Sequence, residues 1–296
     1  MNDGNSSPLA TSFGICGLFV WAMTACVAIN LSNIPAFEFL TLTSFMTFLI
    51  ACTRLTIKKS WHKIRQPLSF WVIGSICIPM NLLGYFCSFR YIDASLADLI
   101  YYMYPILVVL LGAVLFRKRL TLKTLISLIL CFTGIVILLA QEIERFPEKG
   151  MWQGVLLAFL GSISWAVYSL STKIYADSPF EMVGLFFGIG SLFALVFHLQ
   201  NEIFILPTLF EFSLMIFWAF IVHNFSISMW EFGMRKGDFD LLNILSFTVP
   251  VISVCLLVIC GFTPFTMRLV IATTIVAIGL ILNRTSDETA PVAVTE

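Results

Sequence analysis

The feature that most constrains this chain is a run of about 20 apolar residues that recurs along its whole length, with short polar connections between the copies. A run of that length spans the hydrocarbon core of a bilayer as one helix. The runs are solidly apolar. An outer-membrane barrel would instead alternate apolar and polar residues over about 10 positions per strand. Ten runs can be bounded, at 12–30, 36–54, 69–89, 95–116, 121–140, 151–173, 180–199, 211–233, 239–262 and 266–283. A soluble fold is not open to such a chain, because only 11% of its residues are charged, against about 25% in soluble domains. The expected fold is an all-α polytopic membrane protein with ten transmembrane helices, and the lipid bilayer is its first partner. The least uniform spans are the second, which carries Thr and Ser, and the eighth, which carries His223, Asn224 and Glu231.

The distribution of Lys and Arg orients these spans, since cytoplasmic loops are enriched in both. With the N-terminus inside, thirteen fall on the inner side, among them Arg54, Lys58, Arg117, Lys118, Arg119, Lys173, Arg235, Lys236 and Arg284. Four fall outside, namely Arg90, Arg145, Lys149 and Arg268. Both termini are therefore expected in the cytoplasm of a cell whose inner (plasma) membrane holds the protein. No Lys or Arg precedes the first run, so it lacks the basic start of a signal peptide and is expected to be retained. The polar, Pro-containing residues 284–296 read as a short disordered tail.

Several function classes find no support. The formal net charge is zero, which offers nothing to a nucleic acid. The eight cysteines all lie in apolar runs without a CxxC, so neither a disulfide framework nor a zinc site is indicated. There is no phosphate-binding GxxxxGK[ST] and no HExxH. No cofactor or metal is expected, and "DFD" at 238–240 reads as the start of a helix. The chain is expected to act as a monomer.

Sliding the chain by 145 positions brings its second half onto its first. Arg90 meets Arg235, Asp93 meets Asp238, Pro105 meets Pro250, Thr121 meets Thr266 and Gly134 meets Gly279. One residue off that register, "GLFVWA" at 17–22 meets "GSISWA" at 161–166. The rarer Arg, Asp, Pro and Trp carry the match. Each copy holds five spans, and five is odd, so the second copy lies upside down relative to the first. Inverted repeats of this kind mark secondary transporters, whose substrate site lies near the midplane between the halves. The two Arg-to-Asp loops then lie on opposite sides of the membrane, each closing a helix with a cation and opening the next with an anion, as the helix dipoles favour.

With "YIDASLADLIYYMYPILVVLLGAVLFRKRLTLKTLISLILCFTGIVILL" in the first half and "KGDFDLLNILSFTVPVISV" in the second, the sequence resembles the EamA-type branch of the drug/metabolite transporter superfamily. "MWEFGMRKGDFDLLNILSFTVPVIS" and "SWAVYS" are most similar to the aromatic amino acid exporters within it. The resemblance implies two five-helix repeats at 12–140 and 151–283. Around them lie a cytoplasmic N-terminal segment (1–11), an external connecting loop (141–150) and the tail 284–296. It also implies a central cavity lined by helices 1, 3, 4, 6, 8 and 9. The expected activity is export of aromatic or large apolar amino acids, or related small metabolites, by alternating access. An exporter of nucleotide-like or cationic compounds is the alternative. A membrane-embedded lipid-modifying enzyme is less favoured, because no span pairs carboxylates or His at helical spacing.

Polar and aromatic residues inside spans are the candidates for a substrate pathway, since lipid-facing polarity is costly. Trp21 and Trp165 are matched by the repeat and lie too deep for an interfacial belt. Trp61 and Trp152, at span ends, read as belt residues. Tyr85 and Trp230 form a second matched pair, and Tyr168 follows Trp165 on its helix. Tyr101 and Tyr102 lead into Pro105. Pro105 and Pro250 each release a carbonyl about one turn earlier and are candidate hinges, or simply kinks. Asn81, His223 and Asn224 either bind a polar substrate head or join helices. Glu231 and Asp98 are candidate proton or amine sites, though Glu231 also has Arg235 one turn on. Glu38 and Glu181 each follow a proline at a helix start and read as dipole caps.

Overall fold

The computed structural model describes residues 6–92, 94–117, 120–139 and 150–287. Asp93, Lys118, Arg119, Arg145, Lys149, nearly all of the 141–150 loop and the end of the tail lie outside the described residues. Among the described residues, nine helices are long and apolar enough to cross a bilayer: α1 (Pro8–Ile29), α2 (Ala36–Ile57), α3 (Leu68–Ser88), α4 (Leu96–Phe116), α5 (Leu122–Leu139), α6 (Met151–Ile174), α7 (Glu181–Asn201), α8 (Leu209–Lys236) and α9 (Phe239–Ile259). The shorter apolar helix α10 (Met267–Asn283) completes ten. The protein is an all-α polytopic membrane protein of ten helices in two inverted five-helix repeats. With ten crossings, the start of α1 and the end of α10 lie at one face of the bundle, the termini face; the opposite face is the far face.

Packing follows the repeat. α3 runs along α6 and α8 along α1, while α2 pairs with α7 and α5 with α10. Glycines set the closest approaches. A Cβ on Gly17 would stand 2.8 Å from the Ser226 carbonyl oxygen and 3.3 Å from the Trp230 nitrogen. A Cβ on Gly161 would stand 3.3 Å from the Asn81 carbonyl oxygen and 3.2 Å from the Tyr85 nitrogen. Asn81 and Tyr85 become Ser226 and Trp230 on adding 145, so the two crossings are the same crossing inverted. Gly134 and Gly279 repeat the relation between α5 and α10. Their opposing carbonyls, Ala272 and Ser127, differ by the same 145. Small residues that let backbones meet are the usual device of membrane helix pairs.

The less uniform spans satisfy their polar groups internally. In α2 the hydroxyls of Thr41, Thr43, Thr47, Thr53 and Thr56 each donate to the carbonyl four residues back, which keeps them out of competition with lipid. In α8 the middle of the helix, Trp218–Ser226, is wound as a π-helix.

Three differences from the sequence-based expectations follow. Pro105 and Pro250 do not kink continuous helices. α4 is interrupted between Ala94–Tyr101 and Tyr104–Phe116, and α9 between Phe239–Leu245 and Thr248–Ile259. Each proline lies in the first turn of the second segment, where its missing N–H costs little. The carbonyl that Pro105 cannot engage, that of Tyr101, is taken by the Ser162 hydroxyl of α6 at 2.9 Å. α1 is also interrupted, at Met23, just after Trp21. Lastly, Glu38 and Glu181 stand in the first turns of their helices, as dipole caps do, but each also binds outside its own helix. Glu38 accepts from the Ile205 N–H at 2.9 Å, and Glu181 pairs with Lys58 at 2.8 Å and Arg54 at 3.4 Å. The start of α2 is also capped by Glu202, which receives the N–H groups of Phe37 and Glu38. Asp238 does cap α9, accepting from the Leu241 N–H at 2.9 Å.

Candidate functional site

The interruptions of α1 and α4 meet at a cavity of about 230 Å³ that runs from the middle of the bundle toward the far face. That volume lies just below the ~300 Å³ at which small-molecule sites commonly begin. Helices α1, α3, α4, α6, α8 and α9 all line it, and so do α2 through Phe39 and α7 through Phe187.

Its floor is aromatic. Trp21 meets Trp165 edge-on, with ring centroids 5.5 Å apart and planes at 75°. Trp21 also meets Trp230 at 5.4 Å. Trp21 and Trp165 border the cavity, whereas Trp230 lies behind them, 1% exposed, with its N–H directed to the Ser169 hydroxyl at 3.4 Å. The inverted repeat thus delivers the two matched tryptophans to one point, in contact with each other.

The side wall is polar at one place. Asp98, in the first segment of α4, accepts the Tyr85 hydroxyl proton from α3. Tyr101 stacks obliquely on Tyr85 at 4.9 Å, and its hydroxyl accepts from Asn81 at 2.9 Å. The second Asn81 amide hydrogen goes to the Gly161 carbonyl at 3.1 Å. Asn81 therefore joins α3, α4 and α6 and also borders the cavity. Tyr102 completes this wall.

On the opposite wall, His223 is fixed from both sides. The Trp218 N–H donates to its Nε2 at 3.0 Å. Its Nδ1 lies 3.1 Å from the Thr47 hydroxyl, which donates onward to the Thr43 carbonyl. Nε2 is thus an acceptor and Nδ1 the donor, which makes the ring the neutral tautomer. It stacks on Phe187 at 4.4 Å. The sequence did not reveal Trp218, Phe39 and Phe187. Trp218 and His223 are five residues apart, a spacing that an α-helix points in different directions and the π-turn brings together.

Four candidates lie away from the cavity. Asn224 donates to the Ala219 carbonyl at 2.8 Å within the π-turn. Trp230, Tyr168 and Glu231 belong to a seal between the cavity and the termini face. The Tyr168 hydroxyl donates to Glu231 Oε1 at 2.7 Å, and Arg235 Nη2 meets Glu231 Oε2 at 2.7 Å. Both charged side chains are enclosed, at 2% and 1% exposure. Arg235 also donates to the Ala176 carbonyl at 3.2 Å and lies over the Phe180 ring at 4.5 Å. Pro105 and Pro250 stand at the helix interruptions beside the site. Among the described residues no cluster of His, Cys, Asp or Glu is arranged to hold a metal.

A cavity at the junction of two inverted five-helix repeats is a transporter's architecture, and comparison with known proteins names the kind. The EamA-like transporter family matches residues 9–140 and again 152–285. The chain belongs to the EamA-like transporter family. It is therefore a transporter and not an enzyme, and a multi-pass membrane protein. The aromatic amino acid exporter YddG of Ancylobacter novellus is 27% identical over 91% of this chain and 95% of its own length. An uncharacterized transporter of Bacillus subtilis, YyaM, is 23% identical over 76% of this chain and 75% of its own. A solved crystal structure superposes with a TM-score of 0.86 at 25% identity, covering 95% of this chain and 98% of that one.

Proposed function

We propose that this protein exports aromatic and large apolar amino acids through the central cavity by alternating access. The observation that carries the reading is the edge-on Trp21–Trp165 pair at the cavity floor, contributed by equivalent positions of the two repeats. Indole faces at that depth reward a flat apolar side chain by about 0.5–1.5 kcal/mol beyond area burial. A nucleotide-like substrate would need cations beside its phosphates, and among the described residues neither Lys nor Arg lines the cavity. The excess of Lys and Arg at the termini face supports a cytoplasmic placing of both ends, in the inner (plasma) membrane. The cavity then faces the outside and the sealed half faces the cytoplasm. One chain carries both repeats and the whole cavity, which supports a monomer as the working unit.

Counterflow in proteoliposomes tests the substrate class. Labelled phenylalanine or tryptophan should accumulate against an internal aromatic pool and not against alanine, serine or aspartate. Equal counterflow of small and aromatic amino acids would remove the reading. A reporter active only outside the cytoplasm should be silent at Glu296 and active at Glu148.

A further inference from the structure

We infer that the Glu231–Arg235 pair of the termini half is the loading site for the substrate's head group. When that half opens, an amino acid's ammonium replaces Arg235 on Glu231, and its carboxylate replaces Glu231 on Arg235. The site therefore takes zwitterionic α-amino acids and refuses aromatic amines and aromatic acids. This rests on the proposed export of aromatic amino acids and refines it.

The repeat indicates what an open termini half exposes. Adding 145 to Tyr85 and Phe86 gives Trp230 and Glu231, and in the register that matches the tryptophans Thr24 becomes Tyr168. Thr24, Tyr85 and Phe86 all line the open cavity. Tyr168, Trp230 and Glu231 take those places on the wall when the termini half opens by the same plan. The Glu231 carboxylate then lies one ring away from the aromatic floor. Tyr168 rests against Trp165 with ring centroids 6.1 Å apart, and its hydroxyl donates to Glu231 Oε1. Trp230 touches Trp21 beside it. A head group on Glu231 thus leaves its side chain at the Trp21–Trp165 pair.

Hydrogen bonding at Arg235 points the same way. Nη1 donates to the Ala176 and Ser178 carbonyls, and Nη2 to the Ser178 hydroxyl and Glu231 Oε2. The Nε–H is buried without an acceptor among the described residues. Glu231 meets the guanidinium with one oxygen, because the other is held by Tyr168. Nε and Nη2 form the side edge that a carboxylate bridges with two parallel bonds. A buried donor left unpaired is costly, and a substrate carboxylate on that edge removes the cost. Charge then decides between head groups. A zwitterion inserted into the pair turns one ion pair into two and leaves no charge over. An amine would leave Arg235 without a partner, and an acid would leave Glu231 without one, which is strongly disfavoured in an enclosed site. The two residues stand one turn apart on α8, and an amino acid's two charges are joined through one carbon, so a single head group reaches both.

The test is uptake of labelled phenylalanine and labelled alanine by inside-out membrane vesicles, measured over vesicles that lack the protein. Competitors are phenylalanine, alanine, phenethylamine, which lacks the carboxylate, and 3-phenylpropionate, which lacks the amine. Phenylalanine should compete at least about 30-fold more strongly than phenethylamine or 3-phenylpropionate. Arg235→Lys keeps the charge and loses the two-bonded edge. It should weaken phenylalanine about tenfold and leave phenethylamine unchanged. Glu231→Leu combined with Arg235→Leu separates loading from locking: the protein should stay inserted and thermally stable, yet take up phenylalanine at least about 30-fold less well. Competition by phenethylamine or 3-phenylpropionate equal to that by phenylalanine would overturn the inference and leave the aromatic substrate class standing. Native uptake by the stable double-Leu variant would overturn it too, since a pair that only locks is not needed for loading. If neither variant inserts, the competitor series on the native protein decides alone. Alanine competing as strongly as phenylalanine, while the amine and the acid fail, would remove the aromatic class and keep the head-group rule. Uptake of neither label would remove both.

Discussion

In the far half of the bundle, Tyr85 donates to Asp98 on the wall of an open cavity. At the equivalent positions of the termini half, Trp230 and Asn243 are sealed, at 1% and 0% exposure. The helix crossings beneath them are the same, with Gly17 against Ser226 and Trp230, and Gly161 against Asn81 and Tyr85. What differs is the side chains mounted on a shared backbone plan. Arg90 lies over Phe37 at 5.1 Å in one half, and Arg235 over Phe180 at 4.5 Å in the other. Yet Phe86 stands where the second repeat has Glu231, so the Glu231–Arg235 pair has no equivalent at that position of the far half. Glu181 adds a second tie there through Lys58 and Arg54, while Glu38, which also follows a proline at a helix start, accepts from the Ile205 N–H in the far half. Two equivalent halves in opposite states are what an alternating-access transporter requires. The ion pair ties α8 together inside the closed termini half.

The largest effect should come from breaking that lock. Glu231→Ala leaves the Arg235 guanidinium enclosed without its partner, which costs about 3–5 kcal/mol. Thermal unfolding in nanodiscs should show the loss. The equivalent Phe86→Ala removes no charge pair and should leave the termini half sealed. Replacing Glu231 and Arg235 together by Leu should recover most of the stability, since an apolar pair of similar volume is often neutral or better. A Glu231→Ala protein as stable as the native one would mean that the pair does not hold the termini half closed.

The crossings sharpen the comparison next. A methyl at Gly17 would stand 2.8 Å from a carbonyl oxygen, and one at Gly161 no closer than 3.2 Å to backbone. Gly17→Ala should cost about 1–3 kcal/mol, and Gly161→Ala less, by the same unfolding measurement. Equal costs would show that the two crossings relax alike.

Much of this was legible in the sequence. Ten apolar runs and a 145-residue offset in Arg, Asp and Pro were enough for ten helices in inverted repeats. The same offset brought Trp21 to Trp165, because a repeat fixes which positions meet. The Glu231–Arg235 spacing pointed to the ion pair. What escaped depended on contacts between distant elements or on departures from α-helical winding. Tyr168 joins Glu231 only because α6 lies beside α8. Trp218 meets His223 only through the π-turn. Glu202 caps α2 across 165 residues of chain. The sequence makes the prolines candidate hinges or kinks within continuous helices, although each opens a new helical segment, because a sequence shows the missing N–H but not the Ser162 hydroxyl that takes the freed carbonyl.

A smaller effect is expected at the floor. Trp165→Ala should weaken aromatic substrates by about 1–2 kcal/mol, roughly 5- to 30-fold in affinity, and spare small ones. Trp21→Ala should match it, because each ring is the other's edge-on neighbour. Transport of every amino acid unchanged in well-inserted protein would remove the aromatic floor from the account. The smallest effect belongs to Ser162→Ala, about 0.5–1.5 kcal/mol of stability for one lost hydrogen bond. The termini half has no such bond to lose, because Leu18 occupies the corresponding place and the Val249 N–H takes the Ser246 carbonyl.

The central claim is that the two halves exchange states around one site, and thiol access during transport tests it most directly. In a background with the eight native cysteines replaced, Thr24→Cys lines the open cavity and Asn243→Cys sits in the sealed half. An impermeant maleimide should label Thr24→Cys from the far face in the absence of substrate. It should label Asn243→Cys from the termini face only, and only while an aromatic substrate is moving. Labelling of Asn243→Cys from the far face, or none at all while transport proceeds, would contradict the account.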